Sequence, residues 1–128
     1  MENQNPRYTM NPDGTVTDTH TDLIWSKTLA VRADFKEAEA AIAALGEGWR
    51  MPTVDELQTL VDRSRYEPAT DPDAFPDTNT DRAYWTCTPC AWSQSAVWVV
   101  GFDYGVVYSG FRNLNRCVRA VRSVPAGQ

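Results

Sequence analysis

The sequence has few of the features that would place it in a membrane-bound or secreted class of protein. Its 128 residues contain no run near the roughly 18 consecutive apolar residues that a membrane span needs. Residues 1–5 are polar and lack the basic-then-apolar order of a signal peptide. We therefore expect a cytoplasmic protein, one exported without a signal, or one whose leader has been removed, and the sequence leaves these three open.

Cysteine and histidine are too few for the usual disulfide or zinc frameworks. The three cysteines are an odd number, which does not make a disulfide framework. Cys87 and Cys90 form a Cys-x-x-Cys, but their neighbours indicate a strand entering a turn, not the helix N-terminus of a redox motif. The one histidine, His20, is distant in sequence from a possible zinc site. Inert thiols are favoured, and a local or Cys90–Cys117-type disulfide remains the alternative.

Basic charge is scarce except at the C-terminal end. The chain has 12 basic and 17 acidic residues, a net charge of −5 that disfavours nucleic acid and anionic membranes as partners. Residues 104–128, however, contain no acid and four arginines: Arg112, Arg116, Arg119 and Arg122. These arginines either pair with acids elsewhere in the fold or form a patch for an anionic ligand.

Local signals predict strands, then two helices, a long loop and more strands. The turn sequence Asn11-Pro12-Asp13-Gly14 separates two strand candidates. Asp34 and Thr53, each with Glu three residues later, predict the starts of two short helices. This order predicts the α+β class. The predicted strands are 7–9, 15–18, 23–25, 83–88, 96–102, 106–108 and 117–122, with helices at about 34–45 and 53–61.

The polar loop of residues 64–82 is the one candidate for a metal site. It contains Glu67 and four aspartates, and hard cations prefer several such oxygen ligands. The spacing is not that of an EF-hand, and Glu67-Pro68 is followed by Ala69, so no calcium-dependent sugar motif is present. We therefore expect a solvated acidic loop and no cofactor, with calcium as the alternative.

Five motifs in order resemble the Lcl C-terminal domain family, which is named for a collagen-like bacterial adhesin. They run through nearly the whole chain: DGTVTD and TDLIW (13–18 and 21–25), WRMPTVDEL (49–57), FP (75–76), YWT (84–86) and VRAVR (118–122). The resemblance implies one C-type-lectin-like domain over residues 1–128, with its core at about 7–123. In that α+β fold, two short helices pack on antiparallel sheets, and the N- and C-terminal strands pair.

What the resemblance implies about function is a non-enzymatic ligand-recognition domain, an adhesin or receptor binder. Family members are bacterial or phage proteins, and related domains display variable binding faces in diversity-generating retroelement systems. A cell-surface or phage location, a glycan or protein ligand and a possible homo-oligomer follow as expectations. The alternatives are an assembly module of a surface or phage-tail tip, and a cysteine-dependent enzyme of the formylglycine-generating type.

The stretch 91–115 has the composition of a binding face. Tyrosine and tryptophan give rigid contact area, while serine and asparagine give adaptable hydrogen bonds. The alternative is that these aromatics are ordinary core or rim residues. No catalytic or metal-binding residue is predicted. The predicted ligand-binding residues are Trp92, Ser93, Gln94, Tyr104, Tyr108, Phe111, Arg112, Asn113 and Asn115.

Overall fold

The computed structural model describes residues 6–125 as seven strands in one sheet and two helices. The order of strands across the sheet is β1-β2-β3-β7-β4-β5-β6. This arrangement confirms the predicted α+β class. The strands are β1 (Tyr8–Met10), β2 (Val16–Asp18), β3 (Leu23–Ala33), β4 (Tyr84–Cys90), β5 (Ser93–Gly101), β6 (Val106–Phe111) and β7 (Arg116–Ser123), and the helices are α1 (Phe35–Ala43) and α2 (Val54–Gln58).

The first hairpin forms where the turn sequence predicts it. The Asn11 N–H donates to the Thr15 carbonyl at 2.9 Å, and Gly14 has φ +90°, a value that L side chains rarely adopt. Antiparallel pairing then aligns Val16 with Trp25 of β3. Because both of these side chains are buried, the hairpin closes one end of the core.

β3 is longer than predicted, because eleven residues form the strand instead of residues 23–25 alone. Its register against β7 shifts between Trp25 and Thr28 and twice more before Ala33. Bulges of this kind interrupt the alternation of apolar and polar residues from which a strand is predicted. Buried Ser26 fits this irregular stretch because its hydroxyl accepts the Ala120 N–H at 2.8 Å.

The C-terminal strand lies in the middle of the sheet. β7 pairs antiparallel with β3 and makes a parallel contact with β4 through Tyr84 and Cys117. Residues 117–121 are all buried. The expected pairing of first and last strands is therefore wrong for β1, which lies at the sheet edge. With only three residues, β1 cannot replace β3 as the long partner that a central strand needs.

Both helices begin at the predicted capping boxes. The Glu37 N–H donates to the Asp34 carboxylate at 2.8 Å, and the Asp34 N–H donates to Glu37 at 2.9 Å. Thr53 and Glu56 make the same reciprocal pair at 3.1 and 3.0 Å. α1 and α2 end earlier than predicted, at residues 43 and 58. Helices this short depend on packing for their stability.

The two helices cover separate cores. Ala38 and Ile42 of α1 pack in a cluster with Trp85, Val97 and Val99. The second cluster contains α2 and the pinned part of the long loop, and its larger members are Trp25, Leu57, Phe75, Tyr84 and Val100. The hairpin β5–β6 therefore has buried side chains on both faces, and its free surfaces lie at its ends and outer edge.

Arg119 anchors the long loop to the sheet. The side chain is 3% exposed and donates to the Ser26 carbonyl at 2.7 Å and to Asp77 at 3.2 Å. Its guanidinium also lies 4.9 Å from the centre of the Phe75 ring. Arg119 therefore belongs to the frame. Arg112, Arg116 and Arg122 instead stack on aromatic rings, and none of them forms an ion pair within residues 6–125.

The polar stretch 1–5 and the last three residues, 126–128, lie outside the described residues. Within the described part, no helix is long and apolar enough to cross a membrane.

Candidate ligand-recognition surface

The hairpin β5–β6 carries most of the predicted binding residues, and its register decides where they point. Ala96 lies opposite Phe111, Trp98 opposite Ser109, and Val99 opposite Tyr108. Directly opposed residues share a face, and successive residues of a strand point to opposite faces. We call the face with Trp98 and Phe111 the front and the face with Val99 and Tyr108 the back.

Three aromatic side chains gather on the front at the N-terminal end of β5, and we call this region the Trp92 surface. Trp92 is 72% exposed and packs edge-on against Trp98, with ring centres 5.3 Å apart. Phe111, 57% exposed, lies diagonally across the strand pair from Trp98. The half-buried Trp98 ring supports Trp92, so a large ring is presented to solvent on a firm base.

Arg112 braces this end from behind. Its N–H donates to the Ser95 carbonyl at 3.0 Å, and its guanidinium donates to the Gln94 carbonyl. The guanidinium also lies 5.1 Å from the centre of the Phe35 ring, and the Arg112 carbonyl accepts the Phe35 N–H. These contacts occupy Arg112 with positioning, so it fixes the start of α1 against β5.

Polar groups complete the Trp92 surface. Gln94 and Asn113 are exposed, and Ser93 is half-buried at the start of β5. A shallow groove of about 510 Å³ runs between Ser95, Phe111, Arg112 and Asn113. An aromatic wall beside amide and hydroxyl groups gives both contact area and hydrogen-bonding capacity for a ligand.

Tyr104 lies at the other end of the hairpin and does not join this surface. It follows β5, whose first and last residues are eight steps of roughly 3.3 Å apart, or about 26 Å. There Tyr104 stacks on Tyr66 of the long loop, with ring centres 6.2 Å apart and planes at 19°. Both rings are well exposed, at 60% and 69%. The structure thus places a second aromatic patch at the far end.

Tyr108 and Asn115 lie elsewhere too. The register places Tyr108 on the back, where the Arg116 guanidinium is 5.8 Å from its ring centre. Asn115 lines a groove of about 420 Å³ beside Arg82 and Arg116. Since residues 108 and 111 differ by an odd number, strand alternation puts them on opposite faces. The nine predicted residues therefore do not form one continuous face.

Sequence reasoning missed two residues that shape these surfaces, Trp98 and Tyr66. Trp98 could have been predicted, because it lies an even number of positions from Gln94 along β5 and so shares a face with that predicted residue. Tyr66 could not, since its partner is 38 positions away (104 − 66) in another loop.

The three cysteines are free thiols, with Cys87 exposed and Cys90 and Cys117 buried. The Cys-x-x-Cys lies within β4 and does not begin a helix. Burial raises the pKa of Cys117 to about 12 and also raises the pKa of Cys87. These thiols therefore carry little thiolate at neutral pH.

Two aspartates of the long loop hold the loop in place. Asp71 accepts the Asp73 N–H at 2.9 Å, and Asp77 accepts the Thr28 N–H at 2.6 Å while binding Arg119. Across residues 6–125, no group of three His, Cys, Asp or Glu side chains is arranged to hold a metal ion.

Fold and surface together describe a small α+β domain with a braced, exposed aromatic end. The model of the Lcl C-terminal domain family matches residues 14–122. The chain belongs to this family, and the resemblance of its motifs is confirmed. No curated protein matches the chain. Membership in the family supports a ligand-binding or surface domain.

Proposed function

We propose that this domain recognises a glycan or protein ligand through the Trp92 surface. The observation that carries the proposal is Trp92 itself, 72% exposed yet held against Trp98. Most of this ring stays in water, so folding gains little of the free energy that its burial would supply, whereas burial under a ligand would gain it. Rigid aromatic side chains with few torsions are the usual anchors of recognition surfaces.

The surroundings of Trp92 support recognition in preference to catalysis. Gln94 and Asn113 offer amide donors and acceptors, which suit hydroxyl groups of a sugar or a peptide backbone. The cysteine-dependent alternative needs an accessible thiol of low pKa, whereas the pKa values of Cys87 and Cys117 are raised. Backbone and cation–π contacts of Arg112 keep the loop after β6 in register with β5.

A binding screen with matched variants tests the proposal. The purified domain is applied to a glycan array and to a panel of intact cells, with calcium and with EDTA. Trp92→Ala should abolish a hit, and Tyr104→Ala, which removes a similarly exposed ring at the other end of the hairpin, should leave it intact. Circular dichroism and thermal unfolding control for folding of both variants.

The other outcomes have distinct meanings. A hit lost in Tyr104→Ala and kept in Trp92→Ala would move recognition to the Tyr66–Tyr104 patch. Loss in EDTA would assign a role to the acidic loop. A hit that neither variant changes would contradict the Trp92 surface as the binding site.

An assembly role is the second candidate. The observation that favours it is the outer edge of β6, where Val106, Tyr108 and Phe111 are exposed at the end of the sheet.

A further inference from the structure

β6 leaves one row of backbone groups without a strand partner. It is the last strand of the sheet, and among residues 6–125 only β5 pairs with it. The Arg112 N–H donates to the Ser95 carbonyl, so these two residues form a hydrogen-bonded pair. In an antiparallel ladder such pairs alternate with non-bonded ones. Val107, Ser109 and Phe111 therefore direct their N–H and C=O groups away from β5.

This edge lacks the features that usually protect an exposed strand. Its sequence, Val-Val-Tyr-Ser-Gly-Phe, contains no charge and no proline, and its register against β5 has no bulge. The opposite edge of the sheet, β1, is protected by its length of three residues. The β1 edge is thus too short to pair readily with another strand, whereas the β6 edge presents six residues of strand-forming sequence.

We infer that two copies of this chain pair antiparallel along β6, about a twofold axis at Ser109. In this register Ser109 faces Ser109 of the second copy, and Val107 faces Phe111. Each such pair exchanges two hydrogen bonds through the groups that point outward. The Phe111 carbonyl already accepts the Leu114 N–H at 3.3 Å, and its second lone pair serves the new bond.

Charge favours the antiparallel orientation and a second copy as the partner. The turn before β6 carries Asp103, and the long loop brings to it Glu67, whose N–H donates to the Asp103 carbonyl at 2.7 Å, and one base, Arg63, which donates to the Gly105 carbonyl at 3.2 Å. This end therefore has two acids and one base, whereas the segment after β6 carries Arg112 and Arg116 and no acid. Antiparallel pairing brings the acidic end of one strand to the basic end of the other, and parallel pairing would bring like charges together. The twofold axis pairs the β6 edge of one copy with the β6 edge of the other, so neither β6 edge remains free and association stops at the dimer.

Side-chain packing agrees with this register. Phe111, exposed in the single chain, lies against Val107 of the second copy. Because of the twofold axis this apolar pair occurs twice in the dimer. Opposed residues of a pair share a face, so the fronts of both copies lie on the same side. If Trp92 binds ligand, as proposed above, the dimer presents two Trp92 rings on the same side, with Phe111 shared with the dimer contact, and gains avidity for a repetitive target.

The dimer is tested on the free chain without any ligand. Sedimentation equilibrium between about 1 μM and about 1 mM should show a monomer–dimer equilibrium, weak because a single strand pair is smaller than a standard interface. Ser109→Glu and Ser109→Lys each place like charges opposite one another and should weaken association roughly tenfold or more. Mixing the two variants in equal amounts should restore a dimer, because the opposed charges then attract.

Hydrogen exchange supplies an independent readout. The amides of Val107, Ser109 and Phe111 should become protected as concentration rises, whereas those of Tyr108 and Gly110, bonded to β5, should not change. A chain that stays monomeric at about 1 mM would overturn the inference. Association that persists in both variants, or variants that fail to associate when mixed, would also overturn it. Because no ligand is involved, these outcomes are independent of whether Trp92 binds one.

Discussion

Removing Arg119 should destabilise the whole domain, because this side chain joins three separate parts of the chain. It donates to the Ser26 carbonyl of β3 at 2.7 Å, to Thr28 at 3.0 Å and to Asp77 of the long loop at 3.2 Å. In Arg119→Met the apolar stem is kept and these donors are lost. The buried Ser26 carbonyl then lacks a partner, at a cost of about 1–3 kcal/mol.

The loss of the ion pair adds to this cost. Breaking a fully buried pair costs about 3–5 kcal/mol, but Asp77 is 38% exposed, so water compensates part of that loss. We therefore expect Arg119→Met to lower the free energy of unfolding by about 3 kcal/mol. Asp77→Asn keeps an acceptor for the Thr28 N–H and should cost less, about 2 kcal/mol.

Urea unfolding monitored by tryptophan fluorescence gives both values, and the double variant gives their coupling. The double variant should cost less than the sum of the two, since each single change leaves the other partner unpaired. A loss within about 0.5 kcal/mol for Arg119→Met, the range of an ordinary surface substitution, would refute the view that this arginine anchors the loop. Additive losses would show that the two side chains do not act as a pair.

Three further outcomes follow from local contacts. Burial raises the pKa of Asp18, but hydrogen bonds from the Arg7 guanidinium and from the His20 N–H outweigh burial and hold the pKa below its usual value. The stabilisation from Asp18 is thus complete above about pH 4 and is lost as the pH falls through the folded-state pKa, so Asp18→Asn should flatten acid unfolding followed by circular dichroism. Thr53→Ala should cost about 1 kcal/mol in thermal unfolding, and Thr53→Asn should restore most of it. A thiol reagent should label Cys87 in the native protein and Cys117 only after unfolding, and native labelling of Cys117 would contradict its burial.

Local signals predicted the turns and helix starts correctly, because the residues that cause them are adjacent in sequence. The capping boxes at Asp34 and Thr53 and the turn at Gly14 depend on contacts only a few positions apart. The length of β3 was not predictable in the same way. Its bulges are set by β7, almost a hundred residues later, and they interrupt the pattern that marks a strand.

The binding residues were found by composition, and their grouping required the register. Composition could select Trp92 and Phe111, but only the pairing of β5 with β6 shows that Phe111 shares the front face with Trp98, the ring against which Trp92 packs. Strand parity alone could have separated Tyr108 from Phe111, provided that both are assigned to one strand. The role of Arg119 could not be predicted, because its partners Asp77, Phe75 and Tyr84 are distant from it in sequence.

Shielding of Trp92 by ligand is the most direct test of the recognition surface. Trp92 is strongly exposed, Trp49 and Trp98 are half-buried, and Trp25 and Trp85 are buried, so the difference in acrylamide quenching between the native protein and Trp92→Phe should report on Trp92. With a ligand from the array at saturation, we predict that quenching falls, and that Trp92→Phe, which keeps an aromatic ring, removes this change. Saturating ligand that leaves the quenching of Trp92 unaltered would contradict the assignment of recognition to this surface.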